Sequence, residues 1–267
     1  RSAFAARPFE NRASEFADCE ECSFAYTLAR NLGVRANNIF VAGRGGRDIQ
    51  DLDNQLRQVA LPLGHLPETV LVSFTANSIC GEQNADRTAE DRYEWYKKRM
   101  RSRLTEALGE VEASPRGTKF LVVAAADVGN LLTNENVLSR PIFSFYPDGS
   151  FSRSMTCRDM RTGQHATTNG SGRDVVAGMC KYLMYTRLDD TERIAHIESL
   201  HSAVVQAQRE ITQEFQEEGA FPNVSFQFLD SILDIDFAAD DVSPDCFHPS
   251  TMGHDKIAKT LLEEIQQ

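Results

Sequence analysis

An aspartate and a histidine lie three residues apart, Asp245 and His248, in the C-terminal stretch 243–254. A carboxylate beside an imidazole is the pair with which a hydrolase orients a general base and stabilises its charged form. The residues before His248 are typical of a loop, and Pro249 followed by Ser250 is typical of a helix start. The spacing alone is a weak signal, since a surface histidine in a polar loop also fits it. A hydrolase needs a nucleophile and an oxyanion hole as well.

Two polar features upstream could form that oxyanion hole. Gly43 ends an apolar run at 38–43, and Asn77 follows another apolar run at 69–74. A glycine can present its backbone N–H to an oxyanion, and an asparagine amide can donate a second hydrogen bond. Each has a simpler explanation, because the glycine-rich stretch 43–46 can be a turn and Asn77 can cap a helix.

The elements that must position these residues alternate between strands and helices. Apolar runs typical of buried strands occur at 38–43, 69–74, 119–124 and 224–229. Apolar residues at helical spacing occur at 23–32, 48–61, 90–112, 190–219 and from 250 onwards. This alternation predicts an α/β fold with a parallel sheet and helices on both faces. In such a sheet ligands bind at the carboxyl ends of the strands, where all three polar features would lie.

Residues 127–185 interrupt the alternation with prolines, glycines, Cys157 and Cys180. We predict one domain over 1–267, in which this stretch is a long insertion or lid with short strands. Such excursions inside a domain are usually functional or tied by disulfides.

The composition excludes several function classes. The hydrophobic fraction of 41% and the charged fraction of 25% are ordinary for a protein with a packed core. The net charge of −11 argues against nucleic acid as a partner, because binding to phosphates needs a basic surface. No apolar run reaches the length of a membrane-spanning helix.

The six cysteines are even in number and occur with two glycosylation sequons, at Asn169 and Asn223. The pair Cys19 and Cys22 could be half of a metal site, but no second pair at zinc spacing completes it. We therefore predict disulfides and a secreted, periplasmic or extracellular location.

Three blocks of the chain resemble those of the SGNH (GDSL-type) serine hydrolases, and most of all the phospholipase B-like branch. The run NIFVAG at 38–43, followed by Asp48, is similar to the block whose glycine donates to the oxyanion. The run FTANSIC at 74–80 is similar to the block G-x-N-D-L-C, whose asparagine is the other donor. The run DCFHPSTMGH at 245–254 is similar to the block that supplies the acid and the base.

The resemblance implies a three-layer, flavodoxin-like sheet and serine ester hydrolysis through an acyl-enzyme, without a metal or other cofactor. His248 would be the base and Asp245 would orient it, while Gly43 and Asn77 would hold the oxyanion. The implied substrate is a carboxylic ester of a lipid or of an acylated glycan. An acyltransferase on the same site and a catalytically silent binding protein of the same fold are the alternatives.

The chain departs from the family pattern at two places. Thr75 and Ser78 replace the usual glycine and aspartate around Asn77. The family's Gly-Asp-Ser block is not intact at the N-terminus, where Ser2 is the candidate nucleophile and a serine before Arg1 is the alternative. The first strand is missing from the sequence, so we expect a further N-terminal segment, or a cleaved piece that stays bound, to supply it.

The remaining ionisable residues are expected to have structural roles. His196 and His201 are predicted to be solvated on a charged helix, and His254 to be a packing or capping residue. The aspartates near the C-terminus lack the spacing of a calcium-binding loop: Asp234, Asp236, Asp240 and Asp241.

Overall fold

The computed structural model describes residues 23–42, 47–74, 76–145, 151–161, 181–184, 186–219, 221–243 and 246–267. In chain order its helices and strands are α1 (Phe24–Asn31), α2 (Leu52–Leu63), β1 (Thr69–Val72), α3 (Ala89–Glu110), β2 (Thr118–Val123), α4 (Asn130–Thr133), α5 (Glu135–Leu138), β3 (Pro141–Phe145), β4 (Phe151–Thr156), α6 (Cys157–Arg161), α7 (Lys181–Met184), α8 (Thr191–Glu218), β5 (Val224–Leu229) and α9 (Thr251–Ile265).

The main sheet contains β1, β2 and β5 in that order, and both pairs of neighbours run parallel. β2 lies in the middle and pairs along its whole length with β5. Parallel neighbours require crossover connections, which here pass through α3 and α8. The predicted α/β fold with a parallel sheet is confirmed.

Side chains of the sheet alternate between two hydrophobic clusters, one on each face. Val72, Phe120 and Phe226 belong to one cluster, while Val123 and Leu229 belong to the other. The first cluster is completed by α2, α3 and α8, and the second by α1 and α9. Because successive strand residues point to opposite faces, a sheet that is apolar on both faces must be covered on both. The result is three layers.

The predicted strand at 38–43 is wrong. The described part of this run begins in a short 3-10 helix, Ala36–Asn38, and residues 39–42 form no strand. The side chain of Phe40 is 51% exposed, which a buried strand would not allow. An apolar run becomes a strand only where a neighbouring chain completes its ladder, and no ladder to 39–42 occurs within the described ranges. The further N-terminal segment or bound cleaved piece that we expect to supply the first strand stays a prediction.

The stretch 127–185 contains α4, α5, an antiparallel pair formed by β3 and β4, and then α6 and α7. The short strands expected for this insertion are present. Its assignment as a lid within one domain stays a prediction. None of the helices in the described part of the chain combines the length and apolar character that crossing a membrane requires.

His254 joins the first and last helices. Its ring is fully buried, its Nδ1 accepts a hydrogen bond from the backbone N–H of Phe24 at 3.2 Å, and it stacks on the Phe24 ring. The hydroxyl of Ser23 caps the same helix end by accepting from the N–H of Tyr26. The prediction that His254 is a packing or capping residue is confirmed.

The role of His254 makes stability depend on pH. Burial, together with the nearby charge of His248, lowers the pKa of His254 from 6.5 to about 4. Below pH 6.5 the unfolded chain therefore binds a proton that the folded ring does not. We expect the free energy of unfolding to fall between pH 6.5 and 4 by roughly 3 kcal/mol on account of this residue.

Urea unfolding at pH 8, 6, 5 and 4 measures this loss, with His254→Gln as the comparison. Glutamine can accept the same N–H bond but does not titrate, so the variant should have a shallower dependence on pH. Identical pH slopes for both proteins would contradict this origin of the acid sensitivity.

Candidate functional site

His248 lies in a closed loop directly before α9. The N–H of Ser243 donates to the carbonyl oxygen of His248 at 2.8 Å, and its hydroxyl donates to the carbonyl oxygen of Pro249 at 3.1 Å. Val242 and Pro249 also form a β-bridge. We call these paired residues, 242–243 and 248–249, the neck of the loop. These contacts hold the two ends of the loop together.

α9 begins at this neck because of two small residues. The hydroxyl of Ser250 accepts from the N–H of Gly253 at 3.2 Å, as an N-cap does. Gly253 packs directly on the backbone of Asp241, whose carbonyl oxygen would clash with any side chain at this position. The glycine therefore permits the close approach that places the helix start beside the loop.

The imidazole of His248 is 8% exposed and lies edge-on to the ring of Phe247, with centroids 4.7 Å apart. Its predicted partner Asp245 lies outside the described residues, as do Gly43 and Ser2. The geometry that the structure describes therefore concerns two of the five predicted site residues, His248 and Asn77.

Asn77 lies in a short 3-10 turn, Ala76–Ser78, that follows β1. Its Nδ2 donates to the carbonyl oxygen of Arg47 at 2.8 Å. An amide carries two N–H bonds, and this contact uses one of them. In the sequence, Arg47 directly follows the glycine-rich run 43–46, which contains the other predicted donor, Gly43.

A buried hydrogen-bond network holds the segment between β1 and the Asn77 turn. The amide of Gln208 donates to the hydroxyl of Tyr96 at 3.1 Å and accepts from the N–H of Ala125 at 2.8 Å. The Tyr96 hydroxyl donates in turn to the carbonyl oxygen of Phe74, at the end of β1. Burial raises the pKa of Tyr96, which keeps this donor protonated. The network ties the carboxyl ends of β1 and β2 to α3 and α8.

Sequence reasoning missed Gln208 and Tyr96. Both lie on apolar helix faces, Gln208 between Val204 and Ile211 along α8. The available signal was a polar side chain inside an apolar stripe, which often indicates a buried hydrogen bond.

The predicted solvation of His201 is wrong. Its ring is buried and its Nε2 donates to the carbonyl oxygen of Ala125 at 2.8 Å, because it shares the apolar face of α8 with Ile197 and Val204. Its Nδ1 lies 3.9 Å from a carboxylate oxygen of Asp127, which is too far for a hydrogen bond. This second histidine–aspartate pair therefore lacks the contact that a catalytic pair requires.

The predicted solvation of His196 is also wrong. Its ring is half-buried, its Nδ1 accepts from the hydroxyl of Tyr182 at 2.6 Å, and its Nε2 donates to the carbonyl oxygen of Arg87 at 2.7 Å. From its position on α8, His196 thus bonds α7 through one ring nitrogen and the loop before α3 through the other.

The acidic residues before the His248 loop take part in local pairs. Asp241 forms an ion pair with Lys256 at 2.8 Å and accepts from the N–H of Ala238, while Asp240 pairs with Arg140. Within the ranges that the structure describes, no three histidine, cysteine or carboxylate side chains are grouped to hold a metal ion.

The disulfide prediction is confirmed in part. Cys157 and Cys246 are bonded across 89 residues, and Cys80 is also disulfide-bonded. The remaining cysteines, Cys19, Cys22 and Cys180, lie outside the described residues.

Most of the chain matches a known protein family. The family model described as GDSL-like Lipase/Acylhydrolase matches residues 11–261, which is most of the chain and includes both described site residues. No curated protein matches the chain.

The buried network predicts a stability difference between two glutamines of α8. Gln208→Leu leaves the N–H of Ala125 without its acceptor and removes the hydrogen bond that the Tyr96 hydroxyl accepts, so it should lower the free energy of unfolding by about 2–3 kcal/mol. Gln206→Leu is the matched control, because Gln206 is exposed and bonds only Glu210 among the described residues. We expect it to change stability by less than about 0.5 kcal/mol.

Urea unfolding of the three proteins measures the difference. Equal effects of the two substitutions would show that Gln208 does not support the strand ends.

Proposed function

Because the chain belongs to the GDSL-like lipase/acylhydrolase family, we propose that it is a serine esterase that hydrolyses a carboxylic ester of a lipid or an acylated glycan. The observation that supports this most is the match over 11–261, which spans the stretches carrying Gly43, Asn77, Asp245 and His248. The choice of a lipid rests on the similarity of these stretches to the phospholipase B-like branch.

In the proposed reaction, His248 removes the proton of a serine hydroxyl as the serine oxygen attacks the ester carbonyl. The carbonyl oxygen becomes an oxyanion, which receives hydrogen bonds from the N–H of Gly43 and from the amide of Asn77. His248 then gives its proton to the leaving alkoxide, and water releases the acyl group by the reverse sequence. Asp245 holds the imidazole in the required tautomer.

Two features of the described residues favour these roles. The contact of Asn77 with Arg47 fixes the amide plane and leaves its second N–H for a substrate oxygen. The neck at Ser243 and Pro249 fixes the backbone on both sides of His248. A base and an oxyanion donor on fixed backbone need little reorganisation when the substrate binds.

We propose Ser2 as the nucleophile, because we interpret the N-terminal stretch 1–6 as a remnant of the family's serine block. We also propose that the protein is secreted. Its disulfides, Cys157–Cys246 and the one that contains Cys80, persist only in an oxidising compartment.

His248→Ala tests the base. We expect the turnover of p-nitrophenyl butyrate to fall at least about 10³-fold, because the serine loses its proton acceptor. His65→Ala is the control, since His65 lies in the loop after α2 and contacts the backbone of Leu66. The control should keep wild-type turnover, and both variants should melt within a few degrees of the wild type. Retained turnover in His248→Ala would refute the assignment of the base.

Labelling with a fluorophosphonate tests the nucleophile. The probe forms a covalent bond with an activated serine, and we expect the labelled peptide to contain Ser2 and Ser2→Ala to abolish labelling. A label on another serine would place the nucleophile there. No label, together with no ester turnover, would refute the esterase and favour a binding protein of the same fold. Added alcohol acceptors that become acylated would identify an acyltransferase.

A further inference from the structure

Two contacts join α6 to Cys246 in the His248 loop. Cys157 forms a disulfide with Cys246, and one turn later Arg161 donates from Nη2 to the carbonyl oxygen of Cys246 at 3.2 Å. Residues four apart lie on the same face of a helix, so the two contacts come from one surface of α6. Cys246 lies between the proposed acid and the proposed base, Asp245 and His248.

The backbone of Cys246 is in the left-handed region, with φ at 59°. A residue with a β-carbon adopts this conformation at an energetic cost, so it persists where surrounding contacts hold it. The disulfide holds the side chain of Cys246, while Arg161 holds its carbonyl group. The second contact fixes the direction in which the chain continues towards His248.

Arg161 also contacts the part of the insertion that reaches the Asn77 turn. Its Nη1 donates to the carbonyl oxygen of Leu183 at 3.1 Å. The backbone N–H groups of Tyr182 and Leu183 donate to the carbonyl oxygen of Cys80, at 2.9 and 3.3 Å. Cys80 is three residues beyond Asn77. A path of bonded groups therefore runs from the His248 loop through Arg161 and α7 to the Asn77 turn.

The guanidinium group suits this position because of its shape and charge. Arg161 is 2% exposed, and a charge so deeply buried is costly unless hydrogen bonds satisfy it. A guanidinium presents its five N–H donors in a rigid plane, so it can bond two carbonyl groups at a fixed separation. The disulfide reaches only Cys246, so it cannot by itself fix α6 relative to α7.

We propose that Arg161 is a positioning residue, which holds the His248 loop and the Asn77 turn at the separation that one substrate carbonyl requires. This role rests on the function proposed above. Its chemical effect is on the alignment of the base and the oxyanion donor, because displacements of about 1 Å can lower catalytic rates by about 10²-fold.

The kinetic experiment compares Arg161→Met, Arg161→Lys and Arg158→Met with the wild type, on p-nitrophenyl butyrate. Arg161→Met should lower kcat by about 10²-fold with KM changed less than about threefold. Arg161→Lys keeps the charge and one donor, so its kcat should be intermediate. Arg158→Met is the control, because Arg158 lies on the same helix and pairs with Glu135 near the surface. Wild-type kcat in both Arg161 variants would overturn the proposal.

A second readout is independent of activity. Backbone amide hydrogen exchange should become faster in the Arg161 variants, both at 246–250 and at 77–80. In Arg158→Met the exchange rates of both stretches should stay at the wild-type values. Faster exchange in only one stretch, or in none, would overturn the link whether or not the protein hydrolyses esters. If neither the wild type nor His248→Ala hydrolyses the ester, that result would refute the proposed function instead. If Arg161→Met does not fold, the lysine variant decides both readouts.

Discussion

The fold depends on the burial of β2 on both faces. Phe120 and Val122 face one hydrophobic cluster, and Leu121 and Val123 face the other, so every side chain in this part of the strand is buried. Such a strand needs parallel neighbours on both edges and helices on both faces. The crossover connections then bring the carboxyl ends of all three strands to the same edge of the sheet. The location of the Asn77 turn, which directly follows β1, follows from this constraint.

Polar contacts hold the segments that carry Asn77 and His248. Gln208 joins the ends of β1 and β2, Arg161 joins α6 to the His248 loop and to α7, and Ser243 closes the loop. Apolar packing is non-directional, whereas hydrogen bonds to backbone carbonyl groups fix both distance and angle. The hydrophobic layers thus stabilise the fold, and these buried polar groups define where the site residues lie.

The stretch predicted to be an insertion contacts both segments that carry described candidate residues. This stretch, 127–185, contains both α6 and α7, which contact the His248 loop and the Asn77 turn. A covalent bond also joins this stretch to Cys246, which lies inside the predicted acid–base motif.

Much of the fold was determined by periodicity in the sequence. The strand predicted at 224–229 is Val224–Leu229, and the helix predicted at 90–112 is Ala89–Glu110, because long apolar patterns leave one buried face. The run at 38–43 was equally apolar but formed no strand, since pairing depends on a neighbouring chain and not on the run itself. Asn77 and His248 were predicted from short motifs, where the residue type itself carries the chemistry.

Only the tertiary structure identified Arg161, Gln208 and the buried state of His201. Arg161 bonds the backbone of a residue 85 positions away, and Gln208 bonds strand ends from a helix that follows them in the chain. Their partners are backbone groups, which every residue has, so no pattern of side chains marks them in advance. The sequence by itself determined the layers and the chemical groups, while the packing of distant elements decided which polar residues hold those groups in place.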